Sequence, residues 1–172
     1  VALSVRFAPV LTDEQLATVA QLAREIWYEY YVPLIGRAQV DYMVARIQSL
    51  PAMRTQREER YEYFLIEQET PAPATPIGYF AIRADPDASA IFLSKLYLLA
   101  SARGTGIGRR ALNFVESVAR KRGLRRVWLT VNKGNPARFV YERAGYENTG
   151  ALVTDIGGGF VMDDYRMEKI LT

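Results

Sequence analysis

The chain has 172 residues, 49% of them apolar, with a net charge of +3; this suffices for one domain with a substantial core and is too small an excess for a nucleic-acid binder. It holds no cysteine and no histidine, which excludes disulfides, thiolate or imidazole metal sites, a cysteine nucleophile and a Ser-His-Asp triad. Proton transfer must then fall to a carboxylate, a tyrosine, a lysine or a bound water. The opening residues show no basic region followed by an apolar core, and no apolar run approaches membrane-spanning length. A cytoplasmic protein with no membrane or nucleic-acid partner is expected.

Residues 1–10 read as a first strand, with Val5 and Phe7 on one face. Thr12-Asp-Glu-Gln15 has the form of a capping box, and Leu16, Val19, Ala20, Ala23, Ile26 and Trp27 follow at helical spacing. That helix runs into the aromatic cluster Trp27, Tyr28, Tyr30 and Tyr31 and is expected to end before Pro33. Gly36 opens a second helical segment bearing Val40, Met43, Val44 and Ile47, with Pro51 beyond its end. Residues 61–67 and 77–83 read as strands joined by a stiff loop holding Pro71, Pro73 and Pro76. A further strand, 90–99, follows the turn signal Asp85-Pro-Asp87 and completes an antiparallel meander.

The stretch 98–112 is the most informative. An apolar strand ends in a small-residue turn, three glycines alternate at Gly104, Gly106 and Gly108, and an amphipathic helix begins that runs to a stop at Gly123. Its expected buried stripe is Ile107, Ala111, Phe114, Val115 and Val118. Unpaired N–H groups and the positive dipole end at a helix start form an anion site, and Arg103, Arg109 and Arg110 add positive charge. A phosphate-bearing ligand is expected. It is not held by a Walker A loop, since no Gly-Lys pair follows, nor by a dinucleotide fingerprint, since Arg109 stands near the third glycine's place and Arg125 and Arg126 occupy the region of the ribose-binding acid. Residues 126–131 form the next strand, parallel to the fourth by a right-handed crossover. Asn135-Pro136 starts a short helix carrying Ala137, Val140 and Tyr141 and closing at Gly145, and two closing strands span 146–155 and 160–171.

Two patterns thus stand in order: Arg103-x-x-Gly106-x-Gly108, and Asn135 … Ala137 … Tyr141-Glu-x-x-Gly145-Tyr146. Together they resemble the two diagnostic motifs of the GNAT superfamily of acyl-CoA-dependent N-acyltransferases, over residues 61–171 and more loosely over the N-terminal helix pair. The resemblance implies a single N-acetyltransferase domain over 1–172 with the α/β (α+β) GNAT fold. That fold is a mixed, mainly antiparallel sheet of six or seven strands, with a splayed parallel pair of strands four and five and about four flanking helices.

It further implies acetyl-CoA as co-substrate and no metal. The pantetheine amides would pair with the backbone of Leu96, Tyr97 and Leu98, and the pyrophosphate would sit on the amides of Arg103, Gly104, Thr105, Gly106, Ile107, Gly108 and Arg109. Asn135 would bind the CoA arm, and Tyr141 would protonate the departing thiolate after direct attack by a neutral amine. The implied acceptor is a primary amine of a small molecule, with Trp27 and Tyr31 and the acidic Asp155, Asp163 or Asp164 suiting a polyamine-like cation. The alternatives are a protein or peptide acceptor, or a non-catalytic acyl-CoA-binding module; a homodimer is compatible with either. The pattern departs from the family at two places. The usual carboxylate positions are Phe92 and Thr130, leaving the base open between Glu62 and a water relay through Ser94, Thr130 or a backbone carbonyl. The step from Asn135 to Tyr141 is one residue shorter than the commonest spacing, which keeps Asn132 as an alternative to Asn135.

Overall fold

The computed structural model describes residues 3–172. After β1 (Val5–Pro9) the Thr12 capping box forms as expected: the Gln15 N–H donates to Thr12 Oγ1 at 3.2 Å, and Gln15 Oε1 accepts from the Thr12 N–H at 3.0 Å. It starts α1 (Asp13–Tyr30), whose Leu16, Val19, Ala23, Ile26 and Trp27 are buried. The first helix ends before Pro33 and the second before Pro51, as expected, but each proline also begins a further helix that the sequence reading does not include. Pro33 lies in the first turn of the short α2 (Val32–Ile35), and after α3 (Arg37–Ile47) Pro51 lies in the first turn of α4 (Leu50–Glu58). Proline's missing N–H costs nothing there, and at α4 the Ser49 hydroxyl accepts from the Ala52 N–H at 3.3 Å to cap the start. These two helices are the difference from the four expected.

The rest of the chain runs β2 (Glu62–Gln68), β3 (Thr75–Asp85), β4 (Ala90–Leu98), α5 (Ile107–Lys121), β5 (Arg126–Asn132), α6 (Arg138–Arg143), β6 (Glu147–Gly157) and β7 (Phe160–Ile170). The sheet is seven-stranded in the order β1-β2-β3-β4-β5-β7-β6. On α5 the buried residues are Ile107, Ala111, Leu112, Val115, Glu116 and Ala119, whereas Phe114 and Val118 are only half-buried. Gly123 ends the turn after α5 at φ +70°.

By its internal contacts the chain divides into two compact units, one running to Ile82 and resuming over Lys95–Ala111, the other formed by Arg83–Ser94 and Leu112–Thr172. In the first unit β2 pairs antiparallel with both β1 and β3, through Phe7↔Ile66 and Phe64↔Phe80 among others. Phe64 and Phe80 stack at 4.8 Å, and Phe7 meets Phe80 edge-on at 5.8 Å. Tyr63 and Tyr79 are fully buried with their hydroxyls satisfied: Tyr63 donates to Gln56 Oε1, and Tyr79 donates to Gln48 Oε1 at 3.0 Å.

In the second unit β4 and β5 pair in parallel through Ala90↔Arg126, Ile91↔Val127 and Phe92↔Trp128. β7 lies antiparallel between β5 and β6. Register sorts its side chains into two faces. Val127, Leu129, Val131, Tyr165, Met167 and Lys169 share the face that meets α5, where the Lys169 ammonium reaches both oxygens of the buried Glu116 at 2.9 Å. Trp128, Thr130, Asn132, Asp164, Arg166 and Glu168 share the other. On that second face Phe92 stacks on Trp128 at 4.1 Å, with the Arg166 guanidinium 4.2 Å from the Trp128 ring centre.

Candidate functional site

In the first unit the end of β4 and the glycine loop are held at several points. The Leu99 N–H donates to the Ile77 carbonyl at 2.9 Å, bringing the β4 end against β3. Gly78 makes that approach possible: a Cβ there would fall 2.5 Å from the Tyr97 carbonyl oxygen and 2.7 Å from the Leu98 side chain. Leu96, Tyr97 and Leu98 are all half-buried. The Tyr97 ring lies 5.5 Å from Trp27, 6.0 Å from Tyr31 and 5.3 Å from Tyr79, so the structure gathers both sequence-derived acceptor residues against a side chain of the proposed CoA strand. Trp27 itself is only 3% exposed and stacked under Tyr31 at 4.2 Å, a core position. Tyr31 is the more accessible of the two.

The loop then turns through Gly104 and Gly106 at φ +74° and +84°, a left-handed conformation that strains any other residue, and none of the described residues lies within 4 Å of a Cβ built on either. Thr105 Oγ1 donates to the Ala102 carbonyl at 2.6 Å and ties the turn together. Ile107 is buried and anchors the first turn of α5, while Arg109 is exposed. The Arg110 N–H donates to the Gly106 carbonyl at 3.2 Å, so the amides of Ile107 and Gly108 stand ahead of the helical ladder. Such amides and the helix dipole attract a phosphate. The sequence reading assigns the arginines to charge at this anion site, and Arg103 and Arg110 also have structural roles. Arg103 grips Glu29 with NH1 and NH2 at 3.1 and 2.5 Å and donates its Nε to the Leu98 carbonyl at 3.1 Å. Arg110 donates to the carbonyls of Leu3 and Val5 at 2.7 and 3.3 Å. The Glu29 carboxyl is held below its ordinary range by the Arg103 hydrogen bond.

In the second unit Asn135 is 5% exposed, and its Oδ1 accepts from the Ala137 N–H at 2.9 Å, forming the turn that leads into α6. Asn132, the alternative, accepts from the Gly134 N–H at 2.9 Å. Tyr141 is half-buried on α6, its ring 6.2 Å from the buried Tyr146. Lys133 pairs with Asp163 at 2.5 Å. Asp155 is exposed, and its carboxylate accepts from the Gly157 N–H at 2.8 Å within the hairpin turn.

A model of the acetyltransferase (GNAT) family matches residues 20–146, which includes the glycine loop and the Asn135–Tyr141 segment. The chain belongs to this family. An uncharacterized N-acetyltransferase of Mycobacterium tuberculosis is 35% identical over 96 residues, 55% of this GNAT chain and 60% of that relative's length. Among solved structures, the PaiA N-acetyltransferase of Thermoplasma acidophilum in complex with coenzyme A has a TM-score of 0.73 at 22% identity, covering 97% of this chain and 99% of that one. A variant of the spermidine N-acetyltransferase of Vibrio cholerae has a TM-score of 0.66 at 19% identity, covering 96% and 93%. Both show that the GNAT fold is shared.

Two polar residues of this GNAT chain stand out beyond the motifs. Lys95, on β4 just before Leu96, is 4% exposed, its ammonium 5.9 and 5.8 Å from the ring centres of Tyr61 and Tyr63. Burial pulls it down to about 8. Nothing in sequence marks it beyond a lysine inside an apolar strand. Asp164, on β7, is 7% exposed, and its carboxyl is pushed up by burial against the opposing pull of a hydrogen bond from Thr130. Among the described residues no group of three or more acidic side chains could hold a metal ion, and no helix is long and apolar enough to cross a membrane.

Proposed function

We propose that this chain is a single-domain N-acetyltransferase that transfers the acetyl group of acetyl-CoA directly to a primary amine of a small molecule, with a polyamine-like cation as the favoured acceptor. The observation that carries the reading is the glycine loop: Gly104 and Gly106 are left-handed with open space above them, immediately ahead of α5. The family match spans both units, which supports one domain.

In this reading the backbone of Leu96, Tyr97 and Leu98 receives the pantetheine amides as an added strand would be received. The pyrophosphate rests on the loop from Arg103 to Arg109, with the Arg103–Glu29 pair bracing it. Asn135 binds the CoA arm. The amine attacks the thioester carbonyl, a β4 amide stabilises the oxyanion, and Tyr141 gives its proton to the leaving thiolate. Trp27 and Tyr31 back the acceptor side through Tyr97. The acetyl acceptor named for the Vibrio cholerae relative supports the polyamine preference.

The test is thiol release from acetyl-CoA by purified protein against a panel of polyamines, other small amines and lysine- or N-terminus-bearing peptides. Release with small amines supports the reading. Release with peptides alone moves the acceptor to proteins, and tight binding without release on any acceptor makes the chain an acyl-CoA-binding module.

A further inference from the structure

Acyl transfer from a thioester to an amine that is an ammonium ion at neutral pH requires a group to take the ammonium's proton. Histidine and cysteine are absent from the chain. Among the described residues two carboxylates are buried, Glu116 at 4% and Asp164 at 7% exposure. Glu116 is neutralised: both its oxygens accept from Lys169 at 2.9 Å, and Tyr146 donates to it at 3.4 Å. Asp164 is different. Among the described residues no ammonium or guanidinium lies within ion-pair distance of it, and its hydrogen-bonding side chain is the Thr130 hydroxyl.

Burying a carboxylate without a cation costs stability, and a fold that keeps one has a use for it. Register places Asp164 opposite Asn132 on β5 and Leu152 on β6, on the sheet face turned away from α5. That face also carries Phe92 and Thr130, the two positions at which β4 and β5 offer no acid. β7 thus supplies, from the next strand over, a carboxylate beside the β5 position that lacks one.

We propose that Asp164 is the proton acceptor for the attacking amine, with Thr130 orienting its carboxylate. This rests on the acetyl-transfer reading above. The ammonium gives one proton to the Asp164 carboxylate, and the freed nitrogen lone pair forms the N–C bond as the thioester carbonyl opens to an oxyanion. On collapse the C–S bond breaks, the thiolate takes its proton from Tyr141, and the nitrogen's second surplus proton restores the Tyr141 hydroxyl. Asp164 then releases its proton to water.

The groups that set the Asp164 titration are on several elements. Asp163, next to it on β7, raises it, Lys133 beyond the end of β5 lowers it by charge, and Thr130 on β5 lowers it by hydrogen bonding, while burial is the largest influence and raises it. Arg166, two residues on and opposite Thr130, is turned over Trp128 and donates to Glu168 at 3.2 Å.

The experiment measures kcat/KM against pH for acetyl-CoA with spermidine and the other panel amines, in wild type, Asp164→Asn and Thr130→Val. Asp164→Asn is expected to lose on the order of a hundredfold at neutral pH and to recover as pH rises and the free amine loses its own proton, with acetyl-CoA affinity unchanged. Thr130→Val removes an interaction that lowers the Asp164 pKa, so its acidic limb is expected to move to higher pH. A merely structural aspartate would not move that limb. Wild-type kcat/KM and an unmoved acidic limb in Asp164→Asn overturn the proposal while the acetyl-transfer reading stands. If Asp164→Asn fails to fold, an unshifted limb in Thr130→Val overturns it equally. No thiol release from the wild type with any amine removes the reading and this proposal together.

Discussion

The β-carbon that Gly78 lacks would sit 2.5 Å from the carbonyl oxygen of Tyr97. One strand's missing side chain thus sets the path of the next at the segment whose backbone is proposed to receive the CoA arm. Gly78→Ala is therefore expected to act on both stability and ligand affinity. Displacing backbone in a packed region costs about 1–3 kcal/mol. Denaturant unfolding and a coenzyme A titration of the same variant check it; wild-type values in both would show that the β4 end is not held by this contact.

Gly106→Val tests the loop more locally. At φ +84°, with nothing within 4 Å of its Cβ position, the glycine leaves open space that the ligand would fill and a valine would occupy in a strained conformation. Coenzyme A affinity is expected to fall at least about tenfold, equivalent to about 1.4 kcal/mol, by calorimetric titration. Unchanged affinity would remove the pyrophosphate from this loop, as would competition by ATP as effective as that by coenzyme A.

Lys95 predicts a pH-dependent stability. Its pKa falls from 10.5 to about 8 on burial. Below about pH 8 both folded and unfolded chains carry the proton and the penalty is full, roughly 3 kcal/mol for the shift. Between about 8 and 10.5 the unfolded chain holds a proton that the folded chain has lost, so rising pH favours the fold. The stability of wild type relative to Lys95→Met should then rise across that window, measured by chemical unfolding of both proteins. A constant difference from pH 7 to 11 would mean that Lys95 keeps its ordinary pKa.

Tyr141→Phe removes the hydroxyl proposed as proton donor and keeps the half-buried ring that packs near Tyr146. The expected result is a fall in kcat on the order of a hundredfold with the acetyl-CoA dissociation constant unchanged. A wild-type rate across the pH range would take Tyr141 out of the proton transfer.

Much of the fold was legible where its signals are local. The Thr12 capping box, the alternation of strands and the glycine spacing before α5 depend on neighbours in sequence, and each produced the expected element. Pro51 lies beyond the end of α3, as its position suggests, but a proline also suits a first helical turn, and the Ser49 cap starts α4 there. What sequence could not show depends on pairing at long range. Arg103 reads as a charge for phosphate until Glu29, 74 residues away, is seen to grip it. Asp164 reads as one acid in a pair with Asp163 until the β5–β7 register sets it on the face of Thr130. Lys95 looks like an interruption in an apolar strand, and only the sheet puts it beside Tyr61 and Tyr63.

The most direct test of the central claim is the fate of the acetyl group itself. Purified protein is given acetyl-CoA isotopically labelled in the acetyl carbons together with the amine panel, and the products are read by mass spectrometry. The account predicts labelled N-acetyl product on a small primary amine, formed in step with free coenzyme A and lost in Gly106→Val. Coenzyme A bound tightly, with no labelled amide on any amine or peptide, would contradict it.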